Sequence, residues 1–81
     1  MWYVYILLCK DKSLYTGITD NLKKRFSEHK EGRGGSYTRS HKPVKIVYTE
    51  ELASKSEALK REMEIKKWDR TAKIKILGLK I

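Results

Sequence analysis

The sequence is poor in three features that define other classes of protein. Cys9 is the only cysteine, so the chain cannot form an intramolecular disulfide or a zinc site built from several cysteines. No stretch approaches the ~20 consecutive apolar residues that a membrane-spanning helix needs. Acidic residues are outnumbered, because 10 Asp and Glu stand against 19 Lys and Arg and leave a net charge of +9. These features disfavour a membrane protein and favour a polyanion, DNA above all, as the partner.

The length of the chain sets the scale of the fold. A chain of 81 residues buries only about 60% of the surface that its unfolded form exposes, and we expect a single domain over residues 1–81. Apolar residues begin directly, in the run from Tyr3 to Cys9, without the basic lead and cleavage site of a secretory signal. The expected location is therefore the cytoplasm, and Cys9 is expected to be buried as a small hydrophobe.

The order of predicted elements defines a fold class. Strands are predicted from alternation and from β-branched and aromatic composition over residues 2–9, 14–18 and 44–52. Helices are predicted from helical spacing of apolar residues over 21–31, 54–68 and 71–77. The order β-β-α-β-α-α predicts an α+β fold, a small three-stranded antiparallel sheet flanked by helices.

Capping residues mark the ends of these helices. Asp20 is placed to cap the first helix and Gly32 to end it. Ser54 and Glu57 have the spacing of a capping box at the start of the second helix. Thr71 is expected to cap the third.

Two tyrosine triplets lie near the start of the sequence, Tyr3-Val4-Tyr5 on the first predicted strand and Tyr15-Thr16-Gly17 on the second. Because side chains alternate along a strand, Tyr3 and Tyr5 are expected to point to the same face of the sheet. These tyrosines either have a chemical role or serve ordinary packing in the strand, since tyrosine is enriched in strands.

The first predicted helix carries Arg25 and His29 beside its apolar stripe of Leu22 and Phe26. These four positions project within roughly 100° of one another, so both polar side chains are expected to lie near the sheet. A basic, solvated helix surface is the alternative.

Glu62 lies inside the apolar arc of the second long helix, an arc formed by Ala58, Leu59, Met63 and Ile65. A carboxylate that faces a core is costly unless it is paired, hydrogen-bonded or bound to a metal. Lys66, four residues on, is placed for an intrahelical ion pair. The other explanation is a single ligand for a divalent metal, and one carboxylate with waters suits Mg²⁺ or Mn²⁺ better than zinc.

Taken in order, the two triplets, the helical arginine and histidine, and the later glutamate resemble the GIY-YIG nuclease family. The resemblance covers nearly the whole chain and is strongest to the small stand-alone bacterial members. It departs from the family's name at Tyr3, which replaces a glycine, and at Thr16, which replaces an isoleucine. It implies a divalent-metal-dependent endonuclease that hydrolyses phosphodiester bonds in DNA or structured nucleic acid with low sequence specificity.

The resemblance also implies a role for each residue. Tyr15 would take the proton from the attacking water, directly or through a neighbour, and Tyr5 would position Tyr15 or the phosphate. Arg25 would stabilise the charge that develops on the phosphate. Glu62 would hold Mg²⁺ or Mn²⁺. His29 is a further candidate catalytic residue.

Other cationic and aromatic residues are expected to grip a nucleic-acid backbone and stack a base, namely Lys24, Arg33, Tyr37, Arg39, Lys42 and Lys66. Most of them lie between Gly32 and Pro43, a segment rich in glycine that is predicted to be a mobile loop. The alternative for the whole chain is a nucleic-acid-binding module with little or no hydrolytic activity, or one that depends on a protein partner for activity or specificity.

Overall fold

The computed structural model, which describes all 81 residues, contains one antiparallel sheet. Its strands are β1 (Trp2–Cys9), β2 (Leu14–Thr19) and β3 (Pro43–Leu52), in the spatial order β2-β1-β3. The central position of β1 explains its apolar run, because a central strand covered on both faces needs side chains that can be buried on both sides. Cys9, at the end of this strand, is 1% exposed and carries a free thiol, which confirms the prediction of a buried cysteine.

Four helices accompany the sheet: α1 (Leu22–Lys30), α2 (Ser36–Ser40), α3 (Lys55–Lys66) and α4 (Arg70–Leu77). The predicted α+β class, a three-stranded antiparallel sheet flanked by helices, is confirmed. None of these helices is both long enough and apolar enough to cross a membrane.

The prediction of a mobile loop between Gly32 and Pro43 is wrong for part of that segment. It contains the short helix α2, whose Thr38 is only 1% exposed, so the observed order is β-β-α-α-β-α-α. A helix of little more than one turn has no apolar periodicity for a sequence pattern to detect. The position of α2 depends on the contact between Thr38 and His29 of α1, which is nine residues earlier in the chain.

Two predicted helix caps are also wrong by one or two residues. Asn21, not Asp20, caps α1 and accepts a hydrogen bond from the Lys24 N–H at 3.1 Å. The Thr19 hydroxyl accepts from the Asn21 N–H at 3.1 Å and so helps to hold Asn21 at the cap position. Asp69, rather than the predicted Thr71, caps α4. Asn and Asp are about equally good caps, so such choices depend on neighbouring contacts.

The other predicted helix ends agree with the structure. Ser54 caps α3 by accepting a hydrogen bond from the Glu57 N–H at 3.2 Å. The Glu57 carboxylate reaches back to the Ala53 N–H at 3.2 Å, one residue before the cap. Gly32 follows α1 with a φ of 79°, a conformation that glycine adopts without a steric penalty.

The two faces of the sheet are covered by different helices. On one face, Val4 and Ile6 of β1 pack against α3 and the chain around α4, in a core cluster completed by Ala58, Ile65 and Leu79. On the other face, Tyr5 and Leu7 meet α1. Alternation along β1 therefore separates an apolar core from a face that carries a buried tyrosine.

The buried side of α3 differs from the predicted apolar arc. Ala58 and Ile65 are fully buried, as expected, but Leu59 and Met63 are 41% and 61% exposed. The helix is rotated so that Ala58 and Ile65 face the sheet. The Glu62 side chain remains largely covered, at 16% exposed.

Truncation of the two faces of α3 should therefore have unequal effects. We expect Ile65→Ala to lower the free energy of unfolding by about 2–5 kcal/mol, because it opens a cavity in the core cluster. Met63→Ala, two residues away on the exposed face, should change it by less than about 0.5 kcal/mol. Urea unfolding followed by circular dichroism measures both, and equal losses in the two variants would contradict the orientation of α3.

Candidate active site

The tyrosines of the two triplets meet on the β1–β2 hairpin. Register pairs Tyr5 with Gly17, and the rings of Tyr5 and Tyr15 have centroids 6.4 Å apart. A Cβ atom at position 17 would lie 2.6 Å from the hydroxyl oxygen of Tyr5, far inside a van der Waals contact. Gly17 is thus required for the close approach of Tyr5 to the backbone of β2.

His29 is buried between these tyrosines and helix α2. Its Nε2 lies 2.8 Å from the hydroxyl oxygen of Tyr5, and its Nδ1 lies 2.7 Å from Oγ1 of Thr38. The imidazole stands edge-on to Tyr15, with centroids 5.1 Å apart. Gly34 lies directly against the ring, and any side chain there would collide with it. Both ring nitrogens are therefore engaged, and the ring cannot turn without breaking these contacts.

Burial sets the protonation of this pair. It raises the pKa of Tyr5 to about 12; the nearby Tyr15 and Glu62 act in the same direction, and Arg25 opposes them. Burial, aided by the positive charge of Arg25, lowers the pKa of His29 to about 4. At neutral pH, Tyr5 keeps its proton and His29 is uncharged.

Arg25 is held from two sides, as a preorganised cation should be. Its guanidinium donates to the carbonyl oxygen of Gly34 at 2.8 Å and to a carboxylate oxygen of Glu28 at 3.3 Å. The side chain is 34% exposed, so part of it faces solvent. Beside it lies an open groove that is also lined by Lys24. A guanidinium has five N–H donors, so donors remain for an anion in this groove.

Glu62 reaches the site from α3, on the sheet face opposite α1. Its Oε2 lies 3.2 Å from Nζ of Lys66, so the predicted intrahelical ion pair is present. Its charge is also near enough to the Tyr5 hydroxyl to contribute to the raised pKa of that tyrosine. No group of three or more His, Cys, Asp or Glu side chains converges anywhere in the chain. A hard carboxylate oxygen without other protein ligands fits Mg²⁺ or Mn²⁺ with a shell of water.

A charged network fixes α3, and hence Glu62, relative to β3. The Nε–H group of Arg61 donates to both carboxylate oxygens of Glu50, at 3.1 and 3.0 Å. The Tyr48 hydroxyl donates to the same carboxylate at 2.7 Å. Arg61 also lies over the ring of Trp68, 5.5 Å from its centroid. Glu50 could not be predicted from the sequence, because a partner on a distant strand leaves no local pattern.

The predicted nucleic-acid-binding residues fall into two groups. Tyr37 stacks on Tyr15 with centroids 5.6 Å apart, Lys24 lies next to Arg25, and Lys66 pairs with Glu62. The others lie on the surface of the segment around α2, namely Arg33, Arg39 and Lys42. Arg33 forms an exposed ion pair with Glu31 at 2.9 Å. The structure thus places each member of the first group next to one of the candidate catalytic residues and leaves the second group on the surrounding surface.

A further contact joins α2 to the β1–β2 turn. Nδ1 of His41 lies 2.5 Å from Oδ2 of Asp11, and the His41 ring stacks on Tyr37 with centroids 4.3 Å apart. Hydrogen bonds from Ser13, with a contribution from His41, lower the pKa of Asp11 to about 2. Asp11 and His41 are thirty residues apart in the chain, so their pairing leaves no local sequence pattern.

A hairpin with two tyrosines, backed by an arginine, a histidine and a glutamate from two helices, is the arrangement expected of a GIY-YIG domain. A family model described as the GIY-YIG catalytic domain matches residues 1–75. The chain belongs to the GIY-YIG family, and this membership places it in a nuclease superfamily.

Its similar proteins are named UPF0213 proteins. One from Clostridium perfringens is 52% identical over 80 residues, covering 99% of this chain and 86% of the relative. One from Staphylococcus haemolyticus is 51% identical over 75 residues, covering 93% and 92%. The solution NMR structure of a UPF0213 protein from Bacillus halodurans is similar with a TM-score of 0.61 and 42% identity, over 96% of this chain and 84% of that one. The predicted resemblance and fold are both confirmed.

The buried, neutral His29 should make stability depend on pH. Its pKa is about 4 in the folded protein against an ordinary value of 6.5, so between these values the unfolded chain binds the proton more readily. The stabilisation is complete above about pH 6.5 and is lost as the pH falls toward 4, by up to about 3 kcal/mol. We expect chemical unfolding across this range to show the loss in the parent protein.

The matched variants His29→Gln and His41→Gln separate the two histidines. Stability of His29→Gln should depend much less on pH in this window, whereas His41→Gln should keep the dependence. The Asp11 contribution falls at lower pH, because the pKa of that carboxyl is about 2. A parent protein equally stable at pH 7 and pH 4.5 would contradict a buried neutral His29.

Proposed function

We propose that this protein is a divalent-metal-dependent endonuclease that hydrolyses phosphodiester bonds in DNA or structured nucleic acid, with low sequence specificity. The observation that carries the proposal is the convergence of Tyr5, Tyr15, Arg25 and His29, with Glu62 approaching from a separate helix. A phenol, a cation and a metal-binding carboxylate suffice for metal-assisted hydrolysis of a phosphodiester.

The contacts support different roles for the two tyrosines. Tyr5 is 2% exposed, bonded to His29 and kept protonated by its raised pKa, so it acts as a fixed hydrogen-bonding group. Tyr15 is half-buried, and its hydroxyl makes no hydrogen bond within the protein. Tyr15 is therefore the tyrosine that, once its own proton has been released to solvent, can take a proton from the attacking water.

Charge on the phosphate is met from two directions. Arg25, oriented by Gly34 and Glu28, stabilises the negative charge that develops on the nonbridging oxygens. Glu62 would hold Mg²⁺ or Mn²⁺, and the chemistry that this ion would supply is polarisation of the phosphate and support of the leaving oxygen. Lys24 and Lys66 lie beside these two residues and bind the flanking phosphates. Tyr37, stacked on Tyr15 and 37% exposed, contributes aromatic surface for contact with an unpaired base.

Removal of the proposed base should abolish most of the cleavage without unfolding the protein. Tyr15→Phe keeps the ring that contacts His29 and Tyr37, so we expect cleavage of a labelled DNA substrate with Mg²⁺ or Mn²⁺ to fall by about 10²- to 10⁴-fold. Tyr3→Phe is the matched control. It removes a hydroxyl from β1 that makes no contact with His29 or Tyr37, and it should retain the parent rate. Full activity in Tyr15→Phe would remove Tyr15 from the mechanism.

Two variants that break the same ion pair distinguish the explanations for Glu62. We expect Glu62→Gln to lose metal-dependent cleavage and to weaken Mn²⁺ binding, measured by electron paramagnetic resonance. Lys66→Gln breaks the same pair but leaves the carboxylate, so its Mn²⁺ affinity should be equal or higher. If Glu62 serves only the pair, the two variants should bind Mn²⁺ alike and lose only about 0.2–0.5 kcal/mol of stability.

The ion pair itself favours a second candidate function, a nucleic-acid-binding module with little or no hydrolysis. In that case Lys66 occupies the carboxylate permanently, and the basic groups bind nucleic acid without a metal. Binding would then remain tight and salt-dependent in chelator, as counterion release requires. Parent protein that binds DNA but cleaves no duplex, branched or single-stranded substrate with either metal would decide for this alternative.

A further inference from the structure

Thr16, in the middle of β2, carries a buried hydroxyl to which no step above assigns a role. The residue is 2% exposed, and its Oγ1 is the only buried side-chain nitrogen or oxygen in the protein that has no hydrogen-bond partner. A buried donor without an acceptor has lost its hydration and gained nothing in return. The triplet that names the family has isoleucine at this position, so packing in the strand does not require the hydroxyl.

The register of the sheet places Thr16 on the face that α3 covers. Thr16 pairs with Ile6 of β1, and directly opposed residues of antiparallel strands lie on the same face. Ile6 belongs to the core cluster, and Leu14 and Ile18, two residues to either side of Thr16, pack against that cluster. Because α3 packs across β1 and β2, the Thr16 hydroxyl is enclosed between the edge strand and this helix.

Glu62 lies on the side of α3 that faces the sheet. It follows the fully buried Ala58 by four residues and precedes the fully buried Ile65 by three. Residues at these spacings lie on one side of a helix, so the Glu62 carboxylate extends from the covered side. Its low exposure of 16% agrees with this position.

The surroundings of Tyr5 indicate independently that Glu62 lies near Thr16. The hydroxyl of Tyr5 lies against the backbone of Gly17, the residue that follows Thr16. The charge of Glu62 is close enough to contribute to the raised pKa of Tyr5. The carboxylate therefore approaches β2 at the level of residues 16 and 17.

Glu62 can accept a further hydrogen bond. The Lys66 ammonium lies 3.2 Å from Oε2 of this carboxylate, and the Lys66 side chain is 51% exposed. An exposed intrahelical pair of this kind is weak and opens readily. A carboxylate has two oxygens and about four acceptor positions. Rotation of the Glu62 side chain away from Lys66 brings a free acceptor toward a buried donor that lacks one.

We propose that Thr16 is a positioning residue that donates a hydrogen bond to the Glu62 carboxylate when this carboxylate turns from Lys66 to hold a divalent cation. A hydrogen bond to a metal-binding carboxylate fixes its orientation. The hydrogen bond is a property of the folded protein alone, whereas its consequence for the metal rests on the proposed function. The hydroxyl thus lacks a partner in the ion-paired arrangement and gains one in the metal-binding arrangement.

Thr16→Val keeps the shape of the side chain and removes the hydroxyl. We expect its Mn²⁺ affinity, measured by electron paramagnetic resonance, to fall by about 10-fold, the lower end of the range for groups that orient a metal ligand. The melting temperature of the metal-free protein should stay equal or rise, because a buried polar group without a partner is removed. Thr16→Ser keeps the hydroxyl and should retain the parent affinity. Thr49→Val, an exposed threonine on the opposite edge strand β3, controls for the substitution.

Lys66→Ala allows a test without metal, because it frees the Glu62 carboxylate to accept from Thr16. In this background we expect Thr16→Val to lower the melting temperature, whereas in the parent background it should not. A difference between the two backgrounds measures the coupling between positions 16 and 66. Thr16→Ser in the Lys66→Ala background should preserve the melting temperature better than Thr16→Val.

Two results would overturn the proposal. One is a Thr16→Val effect on the melting temperature that is the same in both backgrounds. The other is a Thr16→Val protein that keeps the Mn²⁺ affinity which Glu62→Gln loses. A parent protein that shows the thermal coupling but binds Mn²⁺ no more tightly than Glu62→Gln would leave the hydrogen bond intact and refute the metal site of the proposed function instead.

Discussion

The arrangement of the candidate site depends on the imidazole of His29, which is clamped between Tyr5 and Thr38. This one ring connects the central strand, α1 and α2, and both of its nitrogens are used. Its burial keeps it uncharged, and its neutrality lets it lie beside the cationic Arg25. The glycines at 17 and 34 exist in this arrangement because Tyr5 and His29 occupy the space that side chains there would need.

Because side chains alternate along β1, one face of this strand contributes to the apolar core and the other to the candidate site. Val4 and Ile6 belong to the core cluster with α3, while Tyr5, between them in sequence, lies on the face covered by α1. A substitution on the Tyr5 face can therefore alter the site with limited effect on the core. A substitution on the Val4 and Ile6 face can likewise alter the core with limited effect on the site. Glu62 is the exception, because it belongs to a helix of the core face and still influences Tyr5. Its position depends on the Arg61–Glu50 pair, which ties α3 to β3.

Sequence patterns located most elements and most of the residues that converge. Strand alternation, helical spacing and the Ser54 cap are local properties, and local properties can be read from neighbours in the chain. The errors share a cause. Asp20 and Asn21 are equivalent caps until Thr19 bonds to one of them, and α2 is stabilised by the distant His29 rather than by its own periodicity. The rotation of α3 that exposes Leu59 and Met63 is likewise set by packing against the sheet.

The sequence by itself determined the family, the α+β class and the set of polar residues that face the sheet, because each follows from residue type and spacing along the chain. Only the tertiary structure decided how those residues are connected. It placed Thr38 on His29, Glu50 on Arg61 and Asp11 on His41, and it showed that Glu62 is paired with Lys66 while it lies near Tyr5. Such contacts join side chains far apart in sequence, and burial, not composition, determines the protonation that they create.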